Sequence, residues 1–451
     1  MPLTTGFAAK IAKTLAALAV SAALLPMAAQ TMAADRIQLS FWTAMGGMRG
    51  EVLQHLVNEF NASQQRYTVV PVFKGTYKET MLATIAAYRA HATPDIAQIL
   101  DVGTATMMGS KGTYIPVYRL MQREHIPFST QQFIPAAASY YADTQNRLVS
   151  LPFNSSTPVL FYNKTLLNRI GAKPPKTWAQ MGTIGAKLVA AGVPCGFTTD
   201  HPNWIQMEQF SVWNGVHYAT DDNGYQSAKN VKLRIDDPVF VKHLAQLGTW
   251  SKSGVFEYVG ASPGPSTALF VSGHCAMYTA SSASYPTIQA GAKFPFGVAP
   301  LPYASTQPDA PQNTVVGGAS LWVMNGLPAD HYPGIAAFLH FLMSDKAQAY
   351  WAKRTNYVPS TRGGFARLKQ EGFYADNPGT IVAVEELKNK PPKPWTMGIR
   401  LGYMPQIRQI IRNEMSAVFA GQQTAGQALA TAKRQGDQLL AQFYLSQREG
   451  H

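Results

Sequence analysis

Between Leu151 and Lys164, four consecutive small polar residues, Asn154, Ser155, Ser156 and Thr157, sit between two apolar, β-prone runs. Their hydroxyls and amide donate hydrogen bonds without adding charge, which suits recognition of polyol hydroxyls or of the oxygens of an anion. Pro152 and Pro158 bias the stretch towards an extended path, and it reads as a crossing between two lobes that leaves its hydroxyls in the cleft. Other polar residues that stand out fall at strand ends. Tyr77 and Asp101 follow strands, Ser281 follows another, and Gly317-Gly318 interrupts one. In an open α/β sheet, ligands bind outside the carboxyl ends of the strands.

Motifs for bond-breaking chemistry are missing. There is no Gly-x-x-x-x-Gly-Lys phosphate loop, no Gly-x-Gly-x-x-Gly after a strand, no His-Glu-x-x-His and no Gly-x-Ser-x-Gly elbow. His and Cys lack metal-ligand spacing. The expectation is a binding protein with no catalytic residues, no metal and no cofactor.

The elements that must position these residues alternate. Arg36–Trp42 reads as a strand, Thr43–Gly50 as a flexible glycine-bearing turn, and Glu51–Asn61 as a helix with apolar residues at helical spacing. Strands follow at 67–73 and 93–100, with a helix at 78–91 between them. After the crossing, Thr177 caps a helix over 179–191, and 193–198 and 274–278 read as strands. A helix-like run spans 204–213, and further helices span 238–250 and 266–272. The segments 294–302 and 354–359 read as two more crossings, and 315–324 as a hairpin-like segment around its glycine pair. Such alternation implies an α/β fold.

With 451 residues the chain is too long for one simple core, and its 46% hydrophobic and 14% charged residues give a globular balance. The net charge of +13 comes from thinly spread Lys and Arg with no basic run, which argues against nucleic acid and fits attraction of a small anion. Lys10 and Lys13 precede an apolar run from Leu15 to Ala29, followed by small residues around Thr31–Ala34. This is the layout of a secretory signal peptide over residues 1–34. The two cysteines, Cys195 and Cys275, would form one disulfide or remain two buried thiols.

The sequence resembles the glycerol-3-phosphate-binding members of the extracellular solute-binding protein family that serves ABC importers, the family that includes maltose-binding protein. The resemblance is carried by Lys74-Gly-Thr-Tyr77, Val102-Gly-Thr-Ala-Thr-Met-Met108, Pro152–Lys164 and Trp204-Ile-Gln206. It continues through Phe210–Gly215, Thr279-Ala-Ser-Ser282, Gly317–Met324 and Met404-Pro-Gln-Ile-Arg408. It implies a two-lobed periplasmic binding protein fold of type II, each lobe a mainly parallel sheet flanked by helices. The implied lobes are 35–148 with 296–358, and 149–295 with 359–451.

The resemblance also implies a ligand set of Tyr77, Asp101, Ser156, Trp204, Ser281, Gly318, Tyr357 and Arg408. Arg408 and neutral donors would hold the phosphate, Asp101 the glycerol hydroxyls, and Trp204 would act as a ring platform. On residue type alone the same positions would serve equally as a helix cap, loop serines, a turn, packing rings and a surface arginine. Asp101 stands where these relatives carry glutamate, and His201 where they carry the first of two tryptophans. Both changes enlarge the site and suggest a glycerophosphodiester such as glycerophosphocholine, beside or instead of glycerol-3-phosphate. The expected partners are that small ligand and a membrane ABC permease, for a monomer in the periplasm that binds no nucleic acid. The alternatives are a sugar-binding protein of the same fold and a secreted phosphodiester hydrolase.

Overall fold

The structure is a computed structural model that describes residues 36–226 and 230–449; the expected signal peptide at 1–34 lies outside the described residues. Among the described residues, eleven strands form two sheets. The first holds β1 (Ile37–Thr43), β2 (Tyr67–Phe73), β3 (Ile96–Leu100), β4 (Tyr114–Ile115), β5 (Leu151–Ser156) and β11 (Gly317–Met324), in the order β2-β1-β3-β11-β4 with β5 also on β11. The second runs β10-β6-β9-β7-β8, from β6 (Pro158–Asn163), β7 (Cys195–Thr199), β8 (Phe256–Glu257), β9 (Cys275–Ser281) and β10 (Phe296–Pro300). Each sheet is the centre of one lobe of a two-lobed α/β protein.

The sheets are mixed rather than mainly parallel. β1 pairs in parallel with β2 and β3, as β7 does with β8 and β9. The strands nearest the crossings, β5, β6, β10 and β11, pair antiparallel. The segment expected as a hairpin is the single strand β11, whose glycines open it against β5 instead of folding it back.

β5 belongs to the first sheet and β6 to the second, so the chain changes sheet at Thr157, inside the stretch read as a crossing but past the lobe boundary placed at 149. There Thr157 exchanges backbone and side-chain hydrogen bonds with Ser282. β10 belongs to the second sheet, so the return falls between Pro300 and Gly317, not at 296. Residues past 358 still hold first-lobe segments: Thr361 bridges Phe133, and the Ser360 carbonyl accepts the Ile134 N–H. Short apolar runs fit either sheet equally, and pairing decides which.

Each sheet is held by apolar side chains from its strands and covering helices. Phe41 packs edge-on to Phe153 and Phe338, and Phe153 stacks on Trp351. In the second lobe Phe161 meets Tyr278, Phe270 and Phe296, and Phe197 meets Phe256 and Trp250. Aromatic pairs of this kind add roughly 0.5–1.5 kcal/mol each beyond their area burial. Cys195 and Cys275 face each other across β7 and β9 and form a disulfide, which resolves the two readings left open above.

The helix α1 (Gly47–Ser63) begins inside the stretch expected to be a flexible turn. Its buried face is Val52, Leu53, Leu56, Val57 and Phe60, and packing of that stripe extends the helix back to Gly47. This matters for the site, because it places Arg49 in the first turn of a helix.

Near the returning strand lies a buried acid, Glu386. Its Oε1 accepts the Leu301 N–H at 2.7 Å. Burial pushes the carboxyl up to about 8 from its ordinary 4.5, against the pull of the Leu301 N–H and the Thr157 hydroxyl. Between those two values the folded protein holds a proton that the unfolded chain has released. Stability therefore falls as pH rises through this window and levels off above about 8. Glu386→Gln is expected to raise Tm over the parent by a margin that grows from pH 5 to pH 8.5. A margin independent of pH, in calorimetric melts, would remove Glu386 as the source.

Candidate functional site in the interlobe cleft

Tyr77 opens the helix α2 (Tyr77–Arg89), whose start is fixed by a capping box. Thr76 Oγ1 accepts the Glu79 N–H at 3.3 Å, and the Glu79 carboxylate accepts the Thr76 N–H at 2.6 Å. The phenol is then held by a chain of buried amides. Asn154 Nδ2 donates to Tyr77 Oη at 2.6 Å, Gln98 Nε2 donates to Asn154 Oδ1 at 2.7 Å, and Thr43 Oγ1 donates to Gln98 Oε1 at 2.8 Å. Asn154, one of the four polar residues of the crossing, is therefore a positioning residue for Tyr77. Burial and the neighbouring Tyr357 phenol raise the Tyr77 pKa well above its ordinary range, so the Tyr77 phenol keeps its proton and can donate. Tyr357 in turn lies parallel to Trp351, with ring centroids 5.8 Å apart.

Asp101 follows β3 directly, and its Oδ1 accepts the Val102 N–H at 2.8 Å. Its Oδ2 lies 3.5 Å from Arg408 Nη2. Arg408 comes from the helix Met404–Phe419 and grips a second carboxylate: Nε and Nη2 each meet a Glu208 oxygen at 2.6 Å. Asp101 and Glu208 side chains are both 2% exposed. Burial pushes both carboxyls up, with Arg408 pulling each back down. Burial opposes the guanidinium charge as well, but Glu208 and Asp101 outweigh it and hold Arg408 protonated.

Glu208 was not singled out from sequence. The signal was there as the one acid in Trp204–Trp213, a run that is buried on every side and whose Trp204–Gln209 part takes a π-helical turn. A π-turn at a functional site is a recurring device for aiming side chains inward.

The second lobe contributes Ser281, the last residue of β9, whose hydroxyl accepts the Ala283 N–H at 3.3 Å. Ser156 ends β5 and pairs with Gly317. The Trp204 ring lies so close to Gly317 that a Cβ there would meet it at 2.4 Å. His201, in the left-handed region at φ +40°, stands edge-on to Trp204 with centroids 6.3 Å apart.

One cavity of about 610 Å³ is lined by all eight predicted residues: Tyr77, Asp101, Ser156, Trp204, Ser281, Gly318, Tyr357 and Arg408. Asp200, His201 and Arg49 line it too, none of them in the predicted set. A larger groove of about 800 Å³, edged by Arg362, Lys388 and Lys390, gathers none of the eight. Volume alone would favour that groove; convergence of polar groups makes the smaller cavity the candidate site. Donors, one carboxylate-braced arginine and one tryptophan face in an otherwise mixed wall can hold a small, highly oxygenated anion without covalent chemistry.

Residues 55–379 match the family model described as bacterial extracellular solute-binding protein, and the chain belongs to that family. Within it, the chain is 43% identical over 427 residues to the sn-glycerol-3-phosphate-binding periplasmic protein UgpB of Escherichia coli O1:K1, covering 94% of this chain and 97% of the relative. It is 44% identical over 409 residues to UgpB of E. coli strain K12, covering 90% and 93%. Among solved structures it is similar to UgpB from Mycobacterium tuberculosis in complex with glycerophosphocholine, with TM-score 0.76, 20% identity, and 90% and 98% of the two chains covered. It is also similar to maltose-bound MalE3 of T. maritima, with TM-score 0.70, 17% identity, and 90% and 100% covered. At those identities the structures speak for the two-lobed fold alone.

Proposed function

We propose that the cleft captures a glycerol phosphate ester and that the protein hands it to a membrane ABC permease. In this reading residues 1–34 direct a monomer to the periplasm, where it works by capture and release, without turnover. The observation that carries the reading is the convergence of the eight family positions on one cavity of a chain 43% identical to a glycerol-3-phosphate-binding relative. Ser156, Ser281, Tyr357 and the Gly318 backbone approach the phosphate oxygens, with Arg408 supplying charge. Asp101 and Tyr77 take the glycerol hydroxyls, and Trp204 covers the carbon chain. Closing the two lobes on the ligand is the family's mode of motion.

A glycerophosphodiester is the second reading. Besides His201 and the eight, the cavity lining includes the apolar Pro263, Ala268 and Val271, surface that no group of a small phosphate monoester calls for. An alcohol headgroup such as choline would cover it. Isothermal titration with sn-glycerol-3-phosphate, glycerophosphocholine and maltose tests both. One-to-one binding of at least one phosphate ester and none of maltose is expected. Binding of maltose alone would replace the reading with a sugar carrier, and tighter binding of the diester would select the second form.

A further inference from the structure

Arg408 is bound to two buried carboxylates, so the ionised cluster of Asp101, Glu208 and Arg408 sums to one negative charge. A phosphate monoester brings close to two more negative charges at neutral pH. A cleft with that balance attracts such a ligand far better if another cation faces it. Among the described residues no lysine lines the cavity; its cationic side chains are Arg49, Arg408 and, when protonated, His201.

Arg49 is placed to be that cation. It stands in the first turn of α1, half-buried, with its guanidinium 5.1 Å from the Tyr357 ring centroid. Its Nη2 donates to the Ala283 carbonyl of the second lobe at 3.2 Å. That uses one of five donors, and among the described residues no carboxylate lies within ion-pair distance of it. The charge reaches the site, because it pulls against the raised Tyr77 pKa. The helix end adds to the positive potential: Gly46 offers no side-chain cap, and the first turn holds no acid. Arg49 lines the cleft cavity itself, where anionic oxygens can approach it, and also borders a smaller cavity of about 220 Å³ with Gly46, Met48, Ala283 and Thr287.

We infer that Arg49 is a specificity-determining residue that supplies the second positive charge for a doubly charged phosphate monoester and ties that charge to lobe closure through Ala283. Arg408, braced by its carboxylates, is then chiefly an orienting donor, and Arg49 sets how strongly net ligand charge is rewarded. The inference rests on the phosphate-ester reading above.

The test is calorimetric titration of the parent, Arg49→Gln and Arg49→Lys with sn-glycerol-3-phosphate and glycerophosphocholine. Arg49→Gln should weaken monoester binding roughly 10- to 100-fold. It should weaken binding of the diester, with its single phosphate charge, several-fold less. Arg49→Lys should recover most of the loss. An unchanged monoester affinity in Arg49→Gln overturns the inference. So does an equal loss for both ligands that Lys fails to rescue, since a pure interlobe tie does not distinguish ligand charge. If the parent binds neither ester, the reading of the cleft itself falls, and Arg49 with it.

Discussion

Arg408→Ala is expected to abolish phosphate-ester binding and to destabilise the protein by about 3–5 kcal/mol, the usual loss when one partner is removed from a buried charge pair. The reason lies in what remains. Asp101 and Glu208 are both shielded from water, and Arg408 is the cation that meets both of them. Without it, two carboxylates confront each other in a low-dielectric site, and each rises further above its ordinary pKa. The deficit should therefore shrink on acidification, because protonation removes the repulsion. Stability is lost as pH rises through the raised folded values. A double variant, Arg408→Ala with Glu208→Gln, should recover much of the stability at neutral pH and none of the binding. Urea denaturation at pH 5 and pH 7.5, paired with titration calorimetry, separates the two effects. Retained affinity in Arg408→Ala would remove it from the ligand shell; an unchanged denaturation midpoint would show that the cluster is not braced as described.

That cluster also marks how far the sequence could be read. Tyr77, Asp101, Ser281 and the glycine pair were visible as polar or flexible residues at strand ends, where an α/β sheet exposes them. Ser156 showed only as one of four polar residues at the crossing, and Arg408, Trp204 and Tyr357 had no local mark; the family resemblance singled out all four. Glu208 escaped because its role depends on a partner 200 residues away and on a π-helical turn that no spacing rule anticipates. Arg49 escaped because three nearby glycines suggested a loose turn, while the buried stripe of α1 outweighed their helix-breaking tendency. The strand inventory was largely legible, but sheet membership was not. β5 and β10 are short and extended, and either pattern suits either lobe until backbone partners are known.

Gly318 is where pairing and site meet, and Gly318→Ala is expected to be the most damaging single-methyl change in the cleft. The residue sits at φ +115°, which an L side chain rarely adopts, and a Cβ there would lie 1.8 Å from the Asn154 carbonyl oxygen. The clash is with backbone, so no rotamer relieves it. Relief requires β5 and β11 to separate beside the register shift between Ala319 and Ser320. Moving Asn154 breaks its bond to Tyr77 and carries along Ser156, two residues on at the lobe crossing. Strain at such a position together with a lost strand pairing costs roughly 3 kcal/mol or more, and displacement of two ligand-facing groups should reduce affinity over 100-fold. Gly317→Ala supplies the contrast. Its Cβ would meet the Trp204 ring at 2.4 Å. A ring can shift where a backbone carbonyl cannot, so the stability loss should be smaller and the affinity loss confined to the platform. Urea denaturation of both variants decides the matter: Gly318→Ala as stable as the parent would mean that β5 and β11 do not approach this closely at the crossing.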